Sequence, residues 1–213
     1  MGRWLAGRLD GPQHWVLHDR DPRLLELAGA SMTGAGVTVE TREGDLTALT
    51  ADDFADTSLV TGSALLDIFT ADEVTALATA CRGVPVLFTL TVAGRIEFDP
   101  AESLDTEFQE AFNAHQRRAV DGRHLLGPDA VDVAVAAFEG LGAEVSTRPS
   151  PWRLGSDQAS LAAEWLRGWV DAAVEQEPEL ATEAPAYLRR KLAVEPRVVV
   201  HHTDLLALPR AVR

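Results

Sequence analysis

The stretch Val16-Leu17-His18-Asp19-Arg20-Asp21-Pro22 decides how the rest of the chain is read. It closes a short apolar run, His14–His18, bounded by Pro12 and Asp19, which reads as a buried strand. Pro22 suits the first turn of a helix, where its missing N–H would be unpaired in any case, and Asp21 suits the cap before it. Arg23–Ala30 then continues as that helix. Strand, acidic turn and helix in quick succession are the opening of a βαβ unit.

Upstream, Met1–Leu9 reads as part of an amphipathic helix, with Trp4, Leu5 and Leu9 on one side, stopped by Asp10-Gly11-Pro12. Downstream, Val37–Thr41 alternates as a strand, and Glu43-Gly44-Asp45 turns the chain. Ser58–Thr61 is the next strand. Ala71–Cys81 is a helix, with Val74, Leu77, Ala78 and Cys81 at helical spacing, and Val84–Val92 is the longest strand run. This alternation predicts an α/β fold with a mostly parallel sheet and helices on both faces. The four strands are expected side by side.

The rhythm changes after Phe98. A polar segment holding a helix at Leu104–Val120 predicts an insertion or lid at about residues 98–128 within a single domain spanning 1–213. A helix at Ala130–Leu141, a strand at Ala143–Thr147, helices at Leu161–Val174 and Tyr187–Leu192, and a strand at Arg197–His201 come after it. The two late strands are expected at the far edge, one of them antiparallel. Trp165 and Trp169, one helical turn apart, read as core packing or an interface stripe. Glu175–Ala186 reads as a surface connection.

Composition narrows the function classes. Of 213 residues 46% are apolar, enough for a core, and the single cysteine, Cys81, rules out a disulfide framework or a cysteine-based zinc site. The six histidines form no metal-ligand spacing, so no metal is expected. The net charge of −14 repels a phosphate backbone and argues against nucleic acid as a partner. No apolar run has the ~18 residues of a membrane span, and Met1–Leu9 lacks the apolar core of a signal peptide, so no membrane partner and a cytoplasmic location are expected.

In the order of its elements and the placement of its carboxylates, the chain resembles the class I SAM-dependent methyltransferases, a Rossmann-like family. The resemblance spans nearly all of Met1–Pro209. Val16–Pro22 is similar to the family's second strand and the turn after it. There an acidic residue accepts hydrogen bonds from both ribose hydroxyls of the cofactor, and Asp19, followed by Arg20, stands at that position. Two acceptor oxygens suit two vicinal hydroxyls; a plain loop aspartate is the competing reading. Gly44-Asp45-Leu46 resembles the turn after the third strand, where a carboxylate takes the adenine amino group and the next amide meets the ring. A turn aspartate is the alternative for Asp45. Leu59–Asp67 resembles the fourth strand and its loop, which implies Thr61, Gly62 and Ser63 as cofactor neighbours. Phe138–Val145 and Val198–His201 resemble the last helix and the late strands.

The resemblance implies S-adenosyl-L-methionine as cofactor and methyl transfer to a small-molecule substrate. His115 is the candidate general base, because its ordinary pKa lies near neutrality. Asn113, Arg118 and Trp152 are candidate substrate contacts. Solvated or core-edge roles are the alternatives for all four. No Asp/Asn-Pro-Pro-Tyr/Phe follows the fourth strand, which argues against methylation of nucleobases or glutamine amides. No stretch matches the family's first strand and its Asp/Glu-x-Gly-x-Gly-x-Gly loop; Met1-Gly2-Arg3-Trp4 reads like the residues just after it. Two further functions stay open: a non-catalytic methyltransferase-like binding protein, and an NAD-dependent oxidoreductase, which would need a Gly-x-Gly-x-x-Gly fingerprint that is also missing. Without its central strand the sheet has either to close up or to leave a gap. Weak cofactor binding, and either self-association, as in a homodimer, or marginal stability, are the expected consequences.

Overall fold

The computed structural model describes residues 1–32, 34, 36–193 and 197–210. The chain runs through α1 (Gly2–Ala6), β1 (Gln13–Asp19), α2 (Pro22–Ser31), β2 (Val37–Glu43), β3 (Val60–Ser63), α3 (Ala71–Ala80) and β4 (Val86–Asp99). It continues with α4 (Asp105–Gln116), β5 (Ala119–Val120), β6 (Arg123–His124), α5 (Ala130–Gly140), β7 (Glu144–Pro149), β8 (Trp152–Leu154), α6 (Ala159–Gln176), α7 (Ala184–Ala193) and β9 (Arg197–Leu208). The fold is α/β. None of its described helices is long and apolar enough to cross a membrane.

Local chemistry sets the helix starts. The Asp21 side chain accepts from the Arg23 amide with Pro22 behind it, and Thr70 and Glu73 form a reciprocal capping box at the head of α3. The helix expected over Leu104–Val120 stops at Gln116, because Asp121-Gly122 folds residues 119–124 into the small β5–β6 hairpin. The connection expected over Glu175–Ala186 is partly helical: a 3₁₀ turn at Pro178–Thr182 buries Leu180, and α7 begins at Ala184.

β1 and β2 pair in parallel, Gln13 with Val37 through Asp19 with Glu43. β3 and β4 also pair in parallel, Val60 with Val86 through Ser63 with Thr89. The remaining strands join antiparallel, in the order β3-β4-β9-β7, with β8 added beside β9. The four early strands therefore do not lie side by side in one sheet. Among the described residues β1 pairs only with β2, and β3 only with β4, so each keeps a free edge. Parallel pairing is confined to these two pairs. The late strands are placed as expected, with β7 at the edge and β9 antiparallel to its neighbours.

Two cores form on opposite faces of the β4–β9 ribbon. Val86 and Phe88 of β4 and Leu205 and Ala207 of β9 pack with Val74, Leu77 and Ala78 of α3 and Ala130, Ala134 and Phe138 of α5. Further along, Val198 and Val200 pack with Leu154 and with Ala162 of α6. Odd-numbered side chains of β9 serve the first core and even-numbered ones the second, which a period of two places on opposite faces. Two bulges in β4, between Phe88 and Thr91 and between Val92 and Ile96, insert extra residues. They bring Ile96 and Phe98 round to the second core. Leu90, inside the first bulge, takes a positive φ of 57°.

The inserted helix α4 is not a free lid. Phe108 and Ala111 are fully buried with Leu166, Trp169 and Val170 of α6 and with Tyr187 of α7. Phe108 stacks on Tyr187 at 4.5 Å, and Trp165 stacks on Trp169 at 5.8 Å. Lys191 is 2% exposed; its Nζ lies 2.7 Å from Asp105 Oδ1, donates to Pro100 O at 3.0 Å, and sits 4.3 Å from the centre of the Phe98 ring. The Tyr187 hydroxyl donates to the same Asp105 at 2.6 Å, and burial followed by that carboxylate pushes the phenol pKa up. Replacing Lys191 with Ala leaves Asp105 with an unpaired buried charge. It should cost about 3–5 kcal/mol of unfolding free energy in a urea titration, the range for breaking a buried pair.

Candidate functional site

In an open α/β sheet ligands bind outside the carboxyl ends of the parallel strands. Here those ends are marked by Asp19 on β1, Asp45 just after β2 and Ser63 on β3, with Thr89 beside Ser63 near the start of β4. Asp19 is the last residue of β1, and the Gly44 amide donates to its carbonyl at 3.0 Å. Its carboxylate accepts from the Asp21 amide through Oδ1 at 2.9 Å. Asp45 follows β2 by two residues. Its Oδ1 caps a 3₁₀ turn, Leu46–Ala48, accepting from the Thr47 amide at 2.9 Å and hydroxyl at 2.8 Å. Those two bonds hold its carboxyl below the usual range, with a smaller contribution from the charges of Arg123 and Arg20. Asp19 and Asp45 thus stand at the same ends of adjacent parallel strands. Each commits Oδ1 to its own turn; for Oδ2 of either residue no partner is found among the described residues. Leu46 packs its side chain against the first core.

Thr61, Gly62 and Ser63 lie on β3 itself, not in a loop after it, because the strand runs two residues later than its apolar run suggested. Gly62 has a packing role: a Cβ there would lie 2.9 Å from two Phe88 ring carbons and 3.0 Å from Leu65 Cδ2. Its missing side chain makes room for the core. The Thr89 hydroxyl donates to the Ser63 hydroxyl across β3–β4 at 3.2 Å, at the end of β3 and near the start of β4. Beside them the β4 bulge aims the Leu90 amide at Asp204 Oδ1 (3.0 Å), which also accepts from the Ser150 hydroxyl at 2.5 Å.

Among the described residues the hydrogen bonds and ring contacts of the four candidates from the insertion and beyond go to groups other than Asp19, Asp45, Ser63 and Thr89. Asn113 donates its amide to Gly94 O at 2.8 Å, fastening α4 to β4, while its buried Oδ1 has no partner. His115 has both ring nitrogens engaged: Nε2 lies 3.3 Å from Glu175 Oε2 of α6, and Nδ1 lies 3.2 Å from Arg118 Nη1. Arg118 also donates to His115 O at 2.9 Å. Trp152 leans on His202, ring centres 5.3 Å apart, and leaves 36% of its surface exposed. His202 itself is buried with an unpartnered Nδ1, and its burial lowers the imidazole pKa.

Three groups at this edge are not foreseen by the sequence. Arg123, from the β5–β6 hairpin, clamps Glu73 at the head of α3 with bonds of 2.8 and 2.6 Å and donates to Ile68 O at 3.1 Å. Asp67, in the 3₁₀ turn Leu66–Ile68 after β3, has a buried, unpartnered Oδ1, and burial raises its carboxyl pKa. Asp204 lies on β9, the direct neighbour of β4, and accepts from the Leu90 amide within the first bulge. None follows from local periodicity, since each depends on contacts distant in sequence. Two shallow concavities lie elsewhere, one between Leu49–Ala51 and α3, the other at the amino ends of β1 and β2 around Gln13 and Thr38. Among the described residues no cluster of His, Cys, Asp and Glu is arranged to hold a metal ion.

No protein-family model matches the sequence, and no curated protein matches it. Solved structures are similar in shape. A candidate methyltransferase from Bacillus halodurans C-125 aligns over 93% of this chain and 84% of its own, at 16% identity and a TM-score of 0.48. A candidate methyltransferase from an antibiotic biosynthesis pathway of Anabaena variabilis ATCC 29413 aligns over 94% and 92%, at 10% identity and 0.48. A SAM-dependent methyltransferase from Geobacter sulfurreducens, solved with S-adenosyl-L-homocysteine, aligns over 97% and 88%, at 14% identity and 0.40. At TM-scores below 0.5 these likenesses carry no argument about activity, which rests instead on strand order and placed side chains.

The Arg123–Glu73 pair has a pH signature. The Arg123 hydrogen bonds are the main cause holding the Glu73 carboxyl below its ordinary range. A carboxyl depressed on folding contributes stability above its unfolded pKa and loses that contribution as pH falls through its folded value. Arg123→Ala should cost roughly 1–2 kcal/mol at neutral pH, less than a fully buried charged bond because the arginine is partly exposed. In urea titrations across pH, the gap between wild type and variant should narrow below about pH 4.

Proposed function

We propose that this chain is a methyltransferase-type domain that binds S-adenosyl-L-methionine at the carboxyl edge of β1–β4 and serves methyl transfer to a small molecule. The observation that carries the reading is the strand order. β2 and β1 lie in one parallel pair, and β3, β4, β9 and β7 in the other sheet, with β9 antiparallel. Within each sheet this is the order the resemblance implies; on that reading the family's first strand would stand between β1 and β3, each of which is paired on one side among the described residues. Asp19 and Asp45 fall at the two places the resemblance assigns to ribose and adenine.

The residues fit the adenosine half of the cofactor. Asp19 has a carboxylate oxygen to receive the ribose hydroxyls. Asp45 and the Leu46 amide would meet the adenine, with Arg20 beside them. Thr61, Ser63 and Thr89 offer hydroxyls nearby on the edge. The methionine half would fall between the free edges of β1 and β3, where no matching glycine loop occurs. When bound, the cofactor supplies an electrophilic methyl group on a sulfonium. The chain's part is then to orient it and exclude water. His115 is not retained as general base, because Glu175 and Arg118 occupy its ring nitrogens. Trp152 is kept as a candidate wall residue for substrate, while Asn113 fastens α4 to Gly94 of β4 and Arg118 holds His115. A small-molecule partner and a cytoplasmic setting accompany this reading.

The free edges favour a second reading beside the first: a methyltransferase-like domain that binds without catalysis. Isothermal titration separates the two. Under the first reading, S-adenosyl-L-methionine and S-adenosyl-L-homocysteine both release heat on binding. Asp19→Ala should weaken either by about 1.5–3 kcal/mol, roughly 10- to 150-fold. Heat with no loss in that variant would remove Asp19 from the site. No heat with wild-type protein would overturn the cofactor reading and leave the binding protein.

A further inference from the structure

Backbone strain gathers at one corner of the sheet. Residues other than glycine seldom adopt a positive φ, and where they do the conformation is held against a cost. Ala64 and Leu90 both do so, at 51° and 57°. Ala64 follows Ser63 at the end of β3, Leu90 follows Thr89 on β4, and Ser63 and Thr89 are register partners. The Ala64 amide donates to Thr89 O at 2.9 Å. By strand parity Ser63, Thr89, Asp204 and His202 share the sheet face turned away from α3 and α5. Trp152, opposite Val200, lies on that face too, with its ring tilted against the His202 imidazole. The corner is open: Ser63 and Trp152 are exposed, and Thr89 and Asp204 are half-buried.

The corner holds a negative charge without a counter-charge. Asp204 accepts through Oδ1 from the Leu90 amide and the Ser150 hydroxyl, and no cation pairs with its carboxylate among the described residues. Arg148, opposite it by register, is exposed and donates to Thr147 O at 2.8 Å. His202 does not supply the charge either: burial lowers its pKa more than Asp204 raises it, so the ring is neutral near neutral pH. That ring is buried, with Nδ1 covered and unpartnered, and it backs the exposed indole of Trp152. We infer that this corner is the substrate end of the site and takes a small primary amine carried on a flat apolar body. An ammonium group has three donors and no acceptor, which suits Asp204 Oδ2 and the hydroxyl oxygens of Ser63 and Thr89. The flat body suits the Trp152 face, whose π-system also attracts a cation. The net charge of −14 favours the approach of a cation over that of an anion. The assignment deepens the methyltransferase reading and rests on it for what the amine is bound for; the binding itself needs no cofactor.

Two probes of equal size test this by nuclear magnetic resonance on the isotopically labelled full chain: phenethylamine and its neutral counterpart, phenylethyl alcohol. Phenethylamine should shift the Leu90 amide and Trp152 indole signals to saturation. Its Kd should be in the low millimolar range, about what a ligand of this size reaches. The alcohol should bind about tenfold more weakly, the effect of one hydrogen bond to a charged group. Asp204→Asn keeps an acceptor oxygen for Leu90 and Ser150, and should bring the two probes to equal affinity. Trp152→Ala leaves the bonds of Asp204 alone; it should weaken both probes several-fold and keep the preference for the amine. Wild-type protein that binds neither probe, or binds both equally, overturns the inference. So do shifts centred on Asp19 and Asp45 instead, or a folded Asp204→Asn variant that still prefers the amine. Trp152→Ala with unchanged affinities overturns it as well. No cofactor enters these titrations, so their failure leaves the S-adenosyl-L-methionine titration standing. Failure of that titration, with amine binding intact, leaves the corner as the ligand site of a binding protein.

Discussion

The antiparallel pairing of β4 with β9 is the constraint on which the rest of the structure depends. β4 begins inside the sheet beside β3 and ends beneath the helices of the second core. β9 follows it the whole way, from Ala207 opposite Val86 to Arg197 opposite Asp99. Residue parity then dictates where each core can form. Leu205 and Ala207 of β9 face α3 and α5, and Val198 and Val200 face α6. β4 can serve both cores only because its bulges add residues that its partner lacks. At the first of these bulges the Leu90 amide donates to Asp204 of the neighbouring strand, beside the Ser63–Thr89 pair.

Much of this architecture is readable in the residues. Asp21-Pro22, Thr70 and Glu73 mark helix starts by capping chemistry that is local in sequence, and the structure uses them in that way. Asp19 at the end of an apolar strand run, and Asp45 in the turn after an alternating one, lie where the sequence puts them relative to their strands. What is not legible is non-local. The extension of β9 to Leu208 looks like a tail because residues 202–208 mix His, Thr and Asp with leucine; pairing with β4 and β7 makes them strand. β3 begins at Val60, not Ser58, because it takes its register from β4. Gly62 looks like a loop glycine open to a ligand, yet the Phe88 ring fills the space beside it. His115 looks available because a helix period cannot foresee Glu175 arriving from α6, sixty residues on.

The first 43 residues form a different kind of structure from the rest. α1, β1, α2 and β2 bury only Leu5, Leu25 and Met32 among the described residues. β1 and β2 pair throughout, but a two-stranded parallel unit with one helix cannot remove much apolar surface from water. Its stability must come from what it is packed against. Asp19 and Asp45 stand at the edge of this weakly held unit, so whatever fastens it also sets how well those carboxylates are pre-organised.

The β4–β9 pairing has a mechanical consequence. Beyond Val92 the two strands run on without β3 and β7, with β8 laid against β9. α4 and α7 are fastened to each other there by the buried Lys191–Asp105–Tyr187 cluster, and α6 packs against both through Leu166, Trp169 and Val170. A load applied to any one of these three helices is therefore shared by the other two.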